Sequence, residues 1–395
     1  MINQAMFGLG NEPSAISELF LYGLNRKAQI GNDKVFDFSI GNPSVPAPPE
    51  IKESLQRALE DDPVALHAYT PAGGSVQALT AAANHIKRIH DFDAKPEQIF
   101  MTAGAAEAIA ITIFALTVPG DEVIVITPFF PEYRVWVEQA GCTLVAVPAT
   151  QPDFQLDIEA LSSAINEKTS AIIINSPNNP VGAIYSEENL KRFAEMLAQK
   201  EQELNRALYV ISDEPYREIT YGEDVPWVPA IWPRTLVCAS LSKSHSLPGE
   251  RIGYVYVSDA MEEARDVSLA VAGAARALGY ICASTLWQRV FAECVDVPSN
   301  VEPYRINREI LTTNLRELGY EFVEPQGAFY LWVRALEDDA QAFSDRAKAH
   351  ELLLVPSDSF GVSGWVRVSY CVSQKTIEDS KPAFAALMAE YQERS

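Results

Sequence analysis

Ser240-Leu241-Ser242-Lys243-Ser244-His245-Ser246-Leu247-Pro248-Gly249-Glu250-Arg251-Ile252-Gly253-Tyr254 joins two apolar, strand-like runs, residues 235–239 and 252–257. Inside it a lysine stands among small residues, with Arg251 following in the same connection. Apolar runs of the same kind recur at 98–102, 122–127, 143–147, 169–175 and 208–212. Amphipathic stretches with helical spacing lie between several of them, at 105–116, 131–139, 157–165 and 186–197. Short apolar runs alternating with such stretches predict an α/β fold, a sheet covered by helices on both faces.

A chain of 395 residues is too long for one ordinary core, so two domains are expected. The run Pro43-Ser44-Val45-Pro46-Ala47-Pro48-Pro49 reads as an extended crossing, because each proline fixes its own φ and restricts its predecessor. Beyond about residue 285 the pattern changes. Helical stretches at 303–318, 339–349 and 376–392 surround short strands at 328–333 and 365–369. The expected organisation is an N-terminal arm with part of a small domain over 1–45, a large domain over 46–285 and a small α/β domain over 286–395. A ligand would sit between the domains, where pockets are common.

Apolar residues make up 48% and charged residues 21%, the balance of a folded globular chain. Lys plus Arg is 31 and Asp plus Glu is 53, a net charge of −22 that disfavours nucleic acid and anionic membrane as partners. No apolar run approaches the roughly 20 residues of a membrane helix. The start, Met1-Ile2-Asn3-Gln4, lacks the basic stretch and apolar core of a signal peptide. The five cysteines are widely spaced with no CxxC pair, so no metal site or disulfide framework is expected. A cytoplasmic protein with buried thiols is the reading. Fixed-period repeats and low-complexity blocks are absent from the sequence.

An amine at the end of an apolar strand is desolvated, which lowers its pKa and makes Lys243 a nucleophile toward carbonyls. Small neighbours let a bulky group approach the backbone, and the planar fork of Arg251 suits a phosphate. A Schiff-base lysine with a phosphate clamp fits pyridoxal 5'-phosphate. Asp213 ends the run 208–212, where α/β sheets bind ligands; it reads either as the partner of a pyridine nitrogen or as a helix N-cap before Glu214-Pro215. Tyr216 reads as a donor to the ring's phenolate oxygen or as a core tyrosine. Asn179, in Asn178-Asn179-Pro180-Val181-Gly182, reads as a donor to a cofactor oxygen and a substrate carboxylate, or as part of a plain turn. Gly104, Ala105 and Ala106 open a helix after a strand, where free N–H groups attract phosphate; tight helix–sheet packing is the alternative. The chain carries neither GxGxxG nor GxxxxGK[ST], so nucleotide binding explains this loop less well. Phe130, or with less reason Phe129, would stack on a cofactor ring or serve as core. Arg367 lies in a strand-like alternation and needs either a substrate carboxylate or an internal ion pair.

In their order and spacing these motifs resemble the class I/II aminotransferases, the aspartate aminotransferase-like branch of the fold type I pyridoxal-phosphate enzymes. The resemblance runs from Gly41-Asn42-Pro43 to Arg367. It includes Tyr69 with Gly73, the Gly104 loop, Asp213-x-x-Tyr216, Ser240-x-Ser242-Lys243 with Arg251-x-Gly253, and Pro325-x-Gly327-Ala328-Phe329-Tyr330. It implies a large domain with a mostly parallel sheet flanked by helices and a smaller α/β domain. Lys243 would anchor the cofactor and shuttle the α-proton. Asp213 would pair with the ring nitrogen and Tyr216 with the ring oxygen. Ser240, Arg251 and the amides of Ala105 and Ala106 would hold the phosphate, with Tyr69 reaching it from a neighbouring subunit. Gly41, Asn179 and Arg367 would bind the α-carboxylate. A homodimer with shared active sites is implied.

The implied reaction moves the amino group of an L-amino acid to a 2-oxo acid such as 2-oxoglutarate by a ping-pong sequence. Aspartate is the favoured donor, with an aromatic or broad range open. Arg276 stands at the spacing where related aspartate enzymes carry a partner-subunit arginine for the distal carboxylate; a surface or interface ion pair is its other reading. C–S β-lyase, decarboxylase or racemase chemistry on the same scaffold, and a non-catalytic cofactor-binding regulator, are the rivals.

Overall fold

A computed structural model describes residues 2–11 and 13–393. Met1, Glu12, Arg394 and Ser395 belong to the expected N-terminal and C-terminal units (Met1 also to the signal-peptide reading) and lie outside the described residues. A seven-stranded sheet forms the centre. Its spatial order is Ile99–Thr102, Gly253–Val257, Thr235–Ser240, Tyr209–Asp213, Thr169–Asn175, Glu122–Thr127 and Thr143–Pro148. Only Gly253–Val257 runs against its neighbours; the other pairings are parallel. Every residue of the interior strand Thr169–Asn175 is buried, which is why it reads as a continuous apolar run instead of an alternation. Thr143–Pro148, at the edge, is partly open to solvent.

The helices follow the expected stretches, with one clear difference. The helix expected over 186–197 runs on to Leu204 as Glu187–Leu204. Ser186 caps its start by accepting from the amide of Asn189. Asn205, at φ 47°, ends it in the left-handed region that asparagine tolerates. The added turns, Ala198-Gln199-Lys200-Glu201-Gln202-Glu203-Leu204, are mostly polar, so the apolar stripe fades before the helix does.

A second sheet of four antiparallel strands joins Val355–Pro356, Trp365–Ser369, Tyr330–Arg334 and Phe322–Val323. The chain's beginning packs against this region. Phe36–Asp37 pairs in parallel with Leu352–Leu353, and Arg26 grips Glu351 through Nε and Nη2. The Pro-rich run is irregular until Pro49, where the helix Pro49–Ala58 begins with proline in its first turn.

The expected boundary at 285–286 falls at the start of the helix Thr285–Cys294, which belongs with the large sheet. Its Val290 and Phe291 share a core with Ile51, Ala78 and Tyr254. The small unit resumes with Glu302–Glu317, which packs on the long C-terminal helix Gln374–Gln392. No helix among the described residues is long and apolar enough to cross a membrane.

Candidate active site

Parallel strands bring their carboxyl ends to one edge of a sheet, and this edge gathers the polar residues. A cavity of about 330 Å³ opens there between the large sheet and the small unit. It is lined by Gly41, Ala105, Ala106, Phe130, Asn179, Asp213, Tyr216, Ser240, Lys243, Arg251 and Arg367, all expected site residues. Each comes from the residues just after a strand or from the strand's last position, except Gly41, the small-sheet Arg367, and Arg251, which stands just before the antiparallel strand Gly253–Val257.

Lys243 lies in the single helical turn Leu241–Ser244 after the strand Thr235–Ser240. Its Nζ donates to the carbonyl of Gly41 at 2.5 Å. Burial pushes its pKa down to about 8, and the charges of Arg367 and Arg251 act in the same direction. Asp213 is 5% exposed. Its Oδ2 accepts from the hydroxyl of Tyr133 at 2.5 Å, and its main-chain carbonyl accepts from Asn175 Nδ2 at 2.8 Å. Burial pushes the Asp213 carboxyl up to about 7; the Tyr133 bond opposes that rise and Glu214 adds to it. The hydroxyls of Tyr216 and Tyr330 lie 2.7 Å apart.

On the phosphate side, the helix Ala105–Leu116 presents its first amides beside Ser240, Ser242 and Arg251. Arg251 holds φ at 54°, an uncommon conformation for an arginine, and reaches Ser242 Oγ at 3.5 Å. Gly104 does not line the cavity; it makes room for that arginine. A Cβ there would stand 2.7 Å from Arg251 Nη2, and Gly104 has φ +91°, where a side chain is strained.

Arg367 is 2% exposed and has no carboxylate partner among the described residues. Nη1 donates to Asn179 Oδ1 at 3.0 Å and Nη2 to the carbonyl of Ser39 at 2.6 Å. The guanidinium lies over the ring of Tyr330 at 4.6 Å. Asn179 is itself fixed, its amide donating to Asn175 Oδ1 at 2.6 Å. Of the two phenylalanines, Phe130 faces the cavity, while Phe129 is 3% exposed and packs in the core.

Two expected residues are elsewhere. Tyr69 is 88% exposed, and Arg276 is exposed on the helix Ala264–Leu278; neither lines this cavity. Other residues of the site escaped sequence reasoning. The sequence assigns no role to Tyr133, and Tyr330 and Ser242 enter there only as members of motifs. Ile16, Ile40 and Trp136 also line the cavity. Only the spacing of Tyr133 after Phe129-Phe130 held a usable signal, since it places a tyrosine in the first turn behind the stacking ring.

The cavity's unmet demands test a cofactor directly. Oδ1 of Asp213 and Nε of Arg367 are buried polar atoms without a partner among the described residues. Such atoms are costly unless something satisfies them. A protonated ring nitrogen meets the first demand and a carboxylate the second. A desolvated lysine between them and an anion-binding corner complete the fit to pyridoxal phosphate and an amino acid.

The comparisons agree with that geometry. The model of the family "Aminotransferase class I and II" matches residues 33–380. An aspartate aminotransferase of Thermotoga maritima is 30% identical, covering 88% of this chain and 90% of that protein. The aspartate/prephenate aminotransferase of Thermus thermophilus is also 30% identical, over 97% of this chain and 99% of its own. Among solved structures, an amino transferase from Eubacterium rectale superposes with a TM-score of 0.96 at 46% identity, covering 99% of both chains. The Thermus thermophilus aspartate aminotransferase with maleate gives a TM-score of 0.88 at 26% identity, over 98% and 99%. The fold and site define a pyridoxal-phosphate-dependent transaminase. The chain belongs to the class I and II aminotransferase family.

The lowered pKa of Lys243 has a direct consequence in the apoprotein. Attack on an aldehyde needs the neutral amine, whose fraction rises with pH. Capture of pyridoxal phosphate, followed by stopped-flow absorbance, is expected to accelerate up to about pH 8 and then level off. A midpoint near the ordinary lysine value of 10.5 would reject a desolvated amine.

Proposed function

We propose that the chain moves the α-amino group of an L-amino acid to a 2-oxo acid at this cavity, one site serving both half-reactions in turn. The observation that carries it is Arg367, a buried cation with an unpaired Nε and no acid partner among the described residues. A planar fork of this kind takes a carboxylate through two N–H bonds. Both an amino acid and a 2-oxo acid carry that carboxylate, which is what alternate use of one site requires. When bound, pyridoxal phosphate supplies an aldehyde for the amine and a ring that takes up the electron pair left at the α-carbon.

The chain's residues supply the rest. Ser240, Ser242, Arg251 and the amides of Ala105 and Ala106 would hold the phosphate. Phe130 would cover one ring face. Asp213 Oδ1 would accept from the ring nitrogen, and the Tyr216 hydroxyl would donate to the ring oxygen. Gly41 and Asn179 would help Arg367 orient the substrate so that its α-hydrogen meets Lys243. Lys243 Nζ would take that proton as general base. With a pKa near 8 it is in part neutral at neutral pH. A homodimer would bring Tyr69 to the neighbouring phosphate, and a cytoplasmic location fits the cysteine pattern.

Aspartate is the proposed donor. The relatives' names support it, and so does maleate, a four-carbon dicarboxylate, in the Thermus thermophilus structure. Lys243, Arg251 and Arg367 are the cations lining the cavity, and each already has a role, so the distal carboxylate would be met by Arg276 of a second copy. A specific observation favours a second reading. Ile16 and Ile40 form an apolar part of the wall, which suits an aromatic or aliphatic side chain.

One panel separates the two. Aspartate, phenylalanine and alanine are each given with 2-oxoglutarate, and the 2-oxo product is measured for the natural chain and Arg276→Ala. On the aspartate reading, Arg276→Ala lowers kcat/KM for aspartate by about 10–100-fold, the loss expected of a partly exposed charged contact, and leaves phenylalanine unchanged. Equal aspartate kinetics in both proteins would remove Arg276 from the site and leave the apolar reading.

A further inference from the structure

We infer that Tyr133 is a positioning residue for the reaction: its hydroxyl holds Asp213 in the orientation and charge state that serve the cofactor's ring nitrogen. The inference rests on the reading that Asp213 meets that nitrogen. Tyr133 is 2% exposed and stands in the first turn of the helix Glu132–Gln139, which follows the strand Glu122–Thr127. Asp213 ends a strand two places away in the same sheet, with Thr169–Asn175 between them. The tyrosine spans that middle strand to reach the acid.

A phenol can donate only one hydrogen bond, and this one goes to Asp213 Oδ2 at 2.5 Å. The acid is thereby left with one uncommitted oxygen, Oδ1, which is buried and has no partner among the described residues. Asn175 Nδ2 fixes the same residue's carbonyl at 2.8 Å. The carboxyl plane is therefore set from one side by Tyr133 and its backbone from the other by Asn175. Rotation that would offer both oxygens to the ring, or neither, breaks the Tyr133 bond.

The tyrosine is held in turn. Its ring meets Phe130 edge-on at 5.7 Å and Trp136 at 6.1 Å, and those two rings lie 6.2 Å apart. Phe130 is the ring that faces the cavity. One helical turn thus ties the wall expected to cover the cofactor's face to the acid expected at its nitrogen. Neither residue can shift without the other feeling it.

Charge points the same way. Burial favours the neutral acid, and the Tyr133 donor favours the carboxylate. The other titratable groups around Asp213 are Glu214, Tyr216, Cys238 and Tyr330. Glu214 is countered by Arg217, and Cys238 and both tyrosines are pushed up by burial and so stay neutral. Among the described residues, Tyr133 is the one neutral donor that reaches the carboxylate directly.

The test begins with the apoprotein, where it does not depend on turnover. The Asp213 carboxyl carbon is followed by ¹³C NMR in protein labelled at aspartate and assigned with Asp213→Asn. In Tyr133→Phe the titration should move upward by about one pH unit, the shift that corresponds to loss of a typical hydrogen bond to a charged group. In the holoenzyme the acid limb of the kcat profile should move upward by a similar amount. At neutral pH kcat should fall about tenfold, while KM for the amino donor changes less than twofold. 3-Fluorotyrosine at position 133 keeps the ring and strengthens the donor. It should move both midpoints downward, and it answers the question even if the phenylalanine variant folds poorly. An Asp213 titration and a kcat limb unmoved by either change would overturn the inference. An apoprotein shift with no change in the kcat limb would keep the hydrogen bond and instead reject the role of Asp213 at the ring nitrogen.

Discussion

Lys243→Ala is expected to lower transamination by on the order of 10⁴-fold or more while the protein still binds pyridoxal phosphate. Two separate losses combine in it. The amine is the nucleophile that holds the aldehyde, and it is the base beside the α-hydrogen; a positioned general base alone contributes on the order of 10²–10⁴. The phosphate corner does not depend on the amine, because Ser240, Ser242, Arg251 and the helix start at Ala105 are held by other contacts. Cofactor retained after gel filtration, measured by absorbance, should therefore persist without a covalent link. The fold has little to lose. Among the described residues, the Lys243 side chain makes its one direct hydrogen bond to the Gly41 carbonyl, which faces the cavity and water can satisfy. A variant that forms 2-oxo acid at the natural rate would remove Lys243 from the chemistry.

Several of the residues that could be read ahead of the structure share one property: they end apolar runs or follow them closely. Asp213 and Ser240 close strands of a parallel sheet, and Asn179 and Lys243 follow such strands within a few residues. A run of buried aliphatics that stops at a polar residue is visible in a bare sequence, and sheet topology then carries all such ends to one edge. Tyr133 and Tyr330 have no such signature. Each lies within an element that must bury aromatics anyway, and only the third dimension shows a hydroxyl 2.5 Å from Asp213 or 2.7 Å from Tyr216. Ile16 was out of reach for a related reason, since a residue in the helix Ala15–Ile30 meets the cavity only through the packing of the small unit. The helix Thr285–Cys294 shows the same limit at the level of domains. Its apolar stripe announces a buried face and is silent about which of two cores receives it. Tyr69 and Arg276 raise a different question, because residues exposed on one chain acquire a role only if a second chain covers them.

Arg367→Met should separate substrate binding from everything else the site does. The guanidinium is buried beneath the cavity with Nε unpaired, touching Asn179, the Ser39 carbonyl and the faces of Tyr330 and Phe360. Removing one member of a buried, hydrogen-bonded charge pair costs about 2–5 kcal/mol. The specificity constant kcat/KM for every amino donor should therefore fall by about 30- to 5,000-fold, and by a similar factor for the 2-oxo acid, because both present the same carboxylate. The loss should appear chiefly in KM. Cofactor retention should remain close to natural, since Arg367 lies with Asn179 and Gly41, away from the Ser240–Arg251 corner, while the pH midpoint at the Lys243 nitrogen should rise, because the Arg367 charge no longer disfavours its protonation. The apoprotein's stability gives the opposing readout. A buried cation without a counter-charge is costly, and an apolar side chain of similar length often replaces one at little or no loss. The melting free energy of the variant should accordingly stay within about 1 kcal/mol of the natural chain or exceed it. A variant that binds donors normally, or one destabilised by several kcal/mol, would show that Arg367 is a structural cation whose partners are Ser39 and Asn179 alone.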